Sequence, residues 1–325
     1  MRTWLAQNLT STMIDLPLTN RRQKVTHRLL QYVRKAILLI TDPLIYYNIR
    51  GIQIEMPFSH TLPHFQKSHP NYSMNLGRVS EIISRKYKTI SVIDIGANVG
   101  DSAAIISSYV SCPILCIEGE EYFWSILSKN SQKMPNVSVC KCLVGTENTK
   151  KRGYLQKIGG NAIIKLTNND SGGEILEFKT LKSIVAEYSN FAAPRLIKLD
   201  VEGFDVPILL SSMDFLREHK CIVFCEFKPY QFEAICAEAK SFFASMKTIG
   251  YNYVLFWQNT GEFVLGSHLG NLDILDDMYK YFYGDGSYPY ADICLLHNED
   301  QDLFELIRNE EKHYFKSVRH SHRMV

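Results

Sequence analysis

No C-x-x-C pair occurs in this sequence, no stretch approaches the length of a membrane span, and the charges nearly cancel, leaving a formal +2. Each absence removes a class of protein. Without cysteine pairs, or histidine pairs at ligand spacing beside the cysteines, a zinc module has no ligands. Five of the eight cysteines, Cys116, Cys140, Cys142, Cys221 and Cys225, sit in apolar strand-like runs, where a free thiol behaves as a small hydrophobe. They read as reduced residues of a cytoplasmic protein rather than as a disulfide framework. The most apolar segment, Ala36 to Tyr47, is cut by Asp42-Pro43 and falls short of the ~20 residues a spanning helix needs. Met1 to Asn20 mixes Arg2, Gln7, Asn8, Thr10 and Asp15 into what would have to be the core of a secretory signal. A nearly neutral chain has no global field to attract nucleic acid, so nucleic acid is not an expected partner. No repeat or low-complexity tract is present.

What is there suffices for one large α/β core with additions: 325 residues, 46% of them hydrophobic. The most informative stretch runs from Thr89 to Ala104. Ser91 to Ile95 reads as a buried parallel strand, and Gly96 and Gly100 permit a tight turn whose backbone can approach a ligand. Asn98 between them tolerates a left-handed conformation. A dinucleotide fingerprint would read G-x-G-x-x-G, whereas here Asp94-x-Gly96-x-Asn98-x-Gly100 puts an acid at the strand end. A pyrophosphate would be repelled there. S-adenosylmethionine, with its ammonium and sulfonium, would be favoured, and Glu118 at the end of the next strand can take both ribose hydroxyls. A plain glycine turn of an α/β protein is the alternative for the same residues.

Val92 to Asp101, Cys116 to Gly119, Lys179 to Lys182, Leu196 to Asp205 and Phe224 to Phe227 together resemble FkbM-type methyltransferases over about Ile49 to Asn298. The resemblance implies a class I, Rossmann-like α/β fold: a mostly parallel sheet with helices on both faces and an antiparallel C-terminal strand pair. It also implies an S-adenosylmethionine-dependent O-methyltransferase, typically acting on a sugar or polyketide-like hydroxyl; the acceptor expected here is a hydroxyl of a sugar, glycan or glycolipid-like molecule. The expected cofactor-binding residues are Asp94, Gly96, Ala97, Asn98, Gly100, Asp101, Ser102 and Glu118, with Tyr72 from the segment that caps the cofactor in related enzymes. His60 and His64 are further pocket candidates and His69 a weaker one; an isolated surface histidine is the commoner outcome for such residues. Two other functions stay open: an NAD-type oxidoreductase on a doubly wound sheet, and a catalytically silent module that binds a glycan or a partner.

A central parallel strand is buried on both faces, so Lys198 and Asp200, two apart on one face, must be paired or placed at the open carboxyl edge where ligands bind. Methyl transfer needs donor and hydroxyl held in line and one proton removed. Asp200 is the expected base or acceptor-orienting group, Glu202 its substitute and Lys198 a partner of either; a purely structural Lys198 to carboxylate pair is the alternative. Asp200 with Glu226 from the next strand has the oxygen chemistry for a hard divalent cation, but no dedicated metal motif is present, so no metal site is assigned.

Three parts are expected along the chain: an amphipathic helical extension over 1–48, a methyltransferase domain over 49–298 with an insertion at 150–180, and a helical tail over 299–325. Strands are expected at 113–118, 137–144, 195–200, 221–227, 251–256 and 291–296. Helices are expected at 120–134, 179–187, 206–218 and 231–249. The aromatic link 277–290 reads as a loop lying over the acceptor opening or packed on the body, and Lys312 to Arg323 as a solvated or frayed end. Arg21, Arg22, Lys24, Arg28, Arg34 and Lys35 lie in a stretch without acids, while Leu29, Leu30, Val33, Ile37 and Ile40 recur at helical spacing. Residues 21–40 therefore suit either a helix packed on the domain or one resting at the inner face of an anionic membrane.

Overall fold

The computed structural model describes residues 2–158, 160–167, 172–201, 203–228, 239–284 and 290–322. The chain opens with helices α1 (Arg2–Asp15) and α2 (Arg21–Leu38), the antiparallel hairpin of β1 (Leu44–Ile49) and β2 (Ile52–Pro57), and helices α3 (Leu62–Ser68) and α4 (Met74–Tyr87). A capping box starts α2: Asn20 accepts the Gln23 N–H at 3.0 Å, and the Gln23 side chain accepts the Asn20 N–H at 3.2 Å.

The apolar runs then form the alternation the sequence predicts: β3 (Val92–Ile95), α5 (Asp101–Tyr109), β4 (Ile114–Glu118), α6 (Glu121–Ser131) and β5 (Val137–Lys141). A four-stranded sheet follows, built from β6 (Leu143–Val144), β7 (Thr149–Ile158), β8 (Asn161–Leu166) and β9 (Glu174–Lys179) in the order β6-β9-β7-β8. Helix α7 (Leu181–Glu187), capped by Thr180 Oγ1 accepting the Ser183 N–H, leads to β10 (Leu196–Leu199), α8 (Asp205–Ser211), α9 (Met213–His219) and β11 (Ile222–Phe227). The helix Ala239–Thr248, strands β12 (Tyr251–Gln258) and β13 (Phe263–His268), the helix Leu272–Gly284, β14 (Ala291–His297) and the helix Gln301–His322 complete the chain.

The large sheet has the order β13-β12-β14-β11-β10-β3-β4-β5. Strands β5, β4, β3, β10 and β11 are parallel, and β14 is antiparallel to both β11 and β12. This is the class I methyltransferase sheet, with the reversed strand slotted in before the last parallel one and β13 added at the edge. Strand alternation divides the core. Val92, Cys116, Leu196 and Phe224 belong to a cluster with α1, α4, α5 and α6, whereas Ile93, Ile95, Leu115, Ile117, Ile197 and Val223 face α7, α8 and α9. Connections leave β3 toward β4 on one side, and the chain returns through β10 on the other, so the switch point lies between β3 and β10.

Several expectations need correction. The strand over 137–144 breaks at Cys142: β5 stays in the large sheet, while β6 peels away where Leu143 packs over Gly119, a position with no room for a Cβ. The helix over 206–218 is two helices meeting at Ser212. Only Ala239–Thr248 of the helix expected at 231–249 falls in the described residues. Most of the link over 277–290 is helical, because Leu275, Met278 and Phe282 recur on one face and are buried. The end from Lys312 is not frayed: one helix runs to His322. Just before it, buried Glu311 takes a bidentate pair from Arg78, at 2.6 and 2.8 Å, and the indole N–H of Trp257 at 2.7 Å. Tyr314 Oη donates to Asn71 Oδ1 at 3.0 Å. Lys312, His313 and Lys316 are exposed, as their charge suggests, whereas Glu311 and Tyr314 beside them bond to residues more than two hundred positions upstream. The seven described cysteines are free thiols.

Candidate active site

The pleat and register gather the charges. Asp94 pairs across from Lys198, and Glu226 across from Asp292. With Asp200 two residues beyond Lys198 and Lys228 two beyond Glu226, the charged ends of four strands share one face at the carboxyl edge. Ligands of doubly wound sheets bind there, at the switch point.

The glycine turn follows β3. Gly96 has φ +76°, and a Cβ on it would overlap the carbonyl oxygen of Asp200, so the two strand ends touch only because this residue is glycine. Asn98 holds φ +48° and Gly100, at the start of α5, φ +88°. The Asn98 N–H donates to Glu118 Oε2 at 2.9 Å and the Glu120 N–H to Oε1 at 2.7 Å. Each oxygen keeps a lone pair for a second donor, the arrangement a ribose diol requires. Burial pushes the Glu118 carboxyl up to about 7 despite the two N–H bonds.

Two adjoining chambers share Gly96, Asn98, Asn161 and Asp200. The smaller, about 100 Å³, is a slot lined by Ile95, Ile117, Phe123, Leu143, Leu155, Ile164, Val201 and Phe204 around Glu118. The insertion thus shapes this chamber, through Leu155 of β7 and Ile164 of β8. The larger, about 290 Å³, is polar: Asp101, Asp200, Glu226 and Asp292 face Lys198 and Lys228. Its outer wall is His60, Thr61, Leu62 and Phe65 with Tyr72, Ser73, Asn75 and Leu76.

Lys198 lies at the centre. Its Nζ is 3.2 Å from buried Asp94, 3.6 Å from Asp200 and 3.3 Å from the Gly96 carbonyl. Burial alone would lower its pKa, but the charges of Asp94, Asp200 and Asp101 outweigh that and raise it, so the ammonium persists. Lys228 pairs with Glu226, whose carboxyl burial and the Asp200 charge raise. Asp292 accepts Asn75 Nδ2 at 2.8 Å, and burial, reinforced by Asp200, pushes it up to about 7. Tyr72 and Tyr290 are hydrogen-bonded to each other beside these acids, and burial raises both phenols.

Of the residues expected from the sequence, Gly96, Asn98, Asp101, Ser102, Tyr72, His60, Lys198 and Asp200 line the large chamber and Glu118 the small one. Asp94 lies beneath, reaching the cleft through Lys198. Ala97 and Gly100 contribute backbone: Ala97 is core, and its carbonyl accepts the Gly100 N–H at 2.7 Å. His60 is buried, its Nδ1 accepting the Leu62 N–H at 3.2 Å, and burial lowers its pKa. His64 and His69 are not in either lining; burial and then the nearby Arg34 bring His64 down to about 4. Glu202 lies outside the described residues. Among the described residues no group of three or more His, Cys, Asp or Glu is placed to hold a metal ion. Asn75, Lys228, Tyr290 and Asp292 were not singled out as site residues from the sequence. The rule that flagged Lys198, charge inside an apolar strand, also marks Asp292, without saying which residues it meets.

Residues 94–253 match the family model described as the methyltransferase FkbM domain. No curated protein matches the chain. Among solved structures it is similar to methyltransferase FkbM from Methylobacillus flagellatus KT, at 16% identity and TM-score 0.36, over 51% of this chain and 40% of that one. It is also similar to the METTL16 methyltransferase domain, at 11% identity and TM-score 0.46, over 91% and 92% of the two chains. A third is M. jannaschii TYW2 in complex with AdoMet, at 9% identity and TM-score 0.41, over 79% and 88%. With the glycine turn, Glu118, Lys198 and Asp200 all inside the matched residues, the cleft lies in the part of this chain, residues 94–253, that matches a methyltransferase FkbM domain.

Proposed function

We propose that this protein is an S-adenosylmethionine-dependent O-methyltransferase whose acceptor is a hydroxyl of a sugar, glycan or glycolipid-like molecule. One observation carries the reading: at the switch point, an apolar slot with a pre-oriented carboxylate opens into a chamber where four carboxylates outnumber two ammonium groups. That lining rich in carboxyl oxygens suits a donor bearing sulfonium and ammonium groups better than the pyrophosphate of a dinucleotide. The acceptor-rich lining suits a ligand that brings hydrogen-bond donors, as a polyol does.

The bound donor supplies an electrophilic methyl group on a sulfonium, which leaves as a neutral thioether. The chain's own residues do the rest. Glu118 holds the ribose end, with the Asn98 and Glu120 N–H groups fixing its carboxylate. Asp200, the most solvent-accessible carboxylate of the Lys198 cluster at 42% side-chain exposure, orients the acceptor hydroxyl and takes its proton as the oxygen becomes positive. Lys198 positions Asp200 through their 3.6 Å contact. Glu226 with Lys228, and Asp292 with Asn75, hold neighbouring hydroxyls so that the attacking oxygen stays in line.

Isothermal titration with S-adenosylhomocysteine, and separately with NAD, tests the donor. Binding of the first and not the second is expected; tight NAD binding overturns the reading. S-Adenosylhomocysteine release over a panel of monosaccharides, glycans and glycolipids tests the acceptor class. Donor binding without turnover on any hydroxyl acceptor of that panel would favour the silent binding module.

A further inference from the structure

The helix α2 is apolar on two sides, and the fold uses only one. Leu30, Ile37 and Leu38 pack against the core, and Arg34 on the same side donates from one terminal nitrogen to the carbonyls of Phe58 and Ser59, both at 2.9 Å. On the opposite side Val25, Leu29, Tyr32 and Val33, at i, i+4, i+7 and i+8, form a second stripe. Leu29 is 60% exposed and Tyr32 69%, and the stripe continues past the helix end through Leu39 and Ile40, 89% and 77% exposed. Packing on the domain therefore explains half of the apolar pattern and leaves the outward half without a partner.

Charge identifies what covers it. Exposed Arg21, Arg22, Lys24, Arg28 and Lys35 flank the outward stripe, and no acid occurs between Leu16 and Thr41. An apolar ridge bordered by cations alone is complementary to a surface that is apolar below and anionic above, which is a lipid bilayer with acidic headgroups. A second copy of this chain would bring its own cations against these. No helix among the described residues is long and apolar enough to cross a membrane, so contact here is in the plane of the interface.

We infer that the outward face of α2, Val25, Leu29, Tyr32, Val33, Leu39 and Ile40 with the basic residues beside them, docks this protein on an anionic membrane surface. The face is fastened to the cleft. Through Arg34 it holds Phe58 and Ser59, immediately before the His60 to Phe65 wall of the large chamber. Lys67 of α3 donates to the carbonyls of Met13, Ile14 and Leu16 at the end of α1. A membrane-docked α2 thus presents the acceptor side of the cleft at a fixed height above the lipid.

The test is co-sedimentation of the full chain with phosphatidylcholine vesicles, with and without phosphatidylserine. Binding is expected only with phosphatidylserine, and added salt should release it, because exposed charge attraction is screened over ~10 Å at 0.1 M salt. Replacing Arg21, Arg22 or Lys24 by glutamine should each weaken partition by about fivefold, the effect of one interfacial charge. Leu29→Asp with Val33→Asp should abolish it, with an unchanged circular-dichroism melt and unchanged S-adenosylhomocysteine affinity. No binding of the unaltered chain to phosphatidylserine vesicles overturns the inference. So does self-association, seen by sedimentation equilibrium, that the Leu29→Asp, Val33→Asp pair removes, since the face would then join two copies. Because vesicle binding requires no methyl transfer, its failure is distinguishable from a failure of the proposed activity.

Discussion

At the Glu118 end of the cleft one carboxylate is fixed by two backbone N–H groups inside an apolar slot, whereas at the Asp200 end four carboxylates share two ammonium groups in a polar chamber. The carboxylate of the first end is held by local sequence: a glycine turn, the strand that follows, and the short loop to Glu120. The second is built from four strands and α4, separated by as much as 217 residues in the case of Asn75 and Asp292. Backbone donors aimed at a single anion suit a ligand that never changes. A set of paired side chains can be altered one at a time without disturbing the first end, which is how one fold serves many acceptors.

Breaking the Asp200 end alone should give the largest effect. Asp200→Asn should keep the fold and the S-adenosylhomocysteine affinity while turnover, on an acceptor found in the panel above, falls by about 10²–10⁴-fold, the loss typical of a general base. If Asp200 is instead only a structural partner of Lys198, the melting temperature falls and activity per folded molecule survives. Full activity in a stable Asp200→Asn protein would move the role to Glu202.

Breaking the other end should act on binding. Glu118→Ala should weaken S-adenosylhomocysteine by about 1.5–3 kcal/mol through lost charged hydrogen bonds. The same residue makes affinity depend on pH. Its carboxyl is pushed up to about 7 in the ligand-free protein, and the ionised form is the acceptor, so affinity should rise with pH up to about 7 and level off above it. Titration of the unaltered protein at several pH values checks this, and a flat profile would separate Glu118 from the ribose.

The smallest effect sharpens the comparison through stability. Glu118 and Asp292 both hold carboxyls raised to about 7 from ordinary values of 4.5 and 3.8. The folded state therefore binds protons more tightly than the unfolded chain in that interval, so these groups contribute stability that is lost as pH rises from about 4 to about 7. Asp292→Asn should flatten the slope of melting temperature against pH and leave S-adenosylhomocysteine affinity unchanged. An unaltered slope would mean that the buried Asn75–Asp292 contact is too well solvated to matter.

Much of this was readable in advance. The strand ending in Asp94, the turn through Gly96 and Gly100, Glu118 at the next strand end, and the misplaced charge of Lys198 and Asp200 are local patterns: a period of two, a glycine where no Cβ fits, a charge where the sheet is buried. The sequence by itself determined the parallel core, the Glu118 end of the cleft and the cationic, acid-free character of residues 21–40. Tertiary structure alone decided that Asn75, Lys228, Tyr290 and Asp292 complete the second chamber and that Glu311 pairs with Arg78. It also decided that the apolar residues of α2 divide between core and surface. The reason is physical: backbone conformation and strand period are set by neighbours in the chain, whereas which charges meet is set by register between strands and by helices returning from far away, and no local pattern encodes that return.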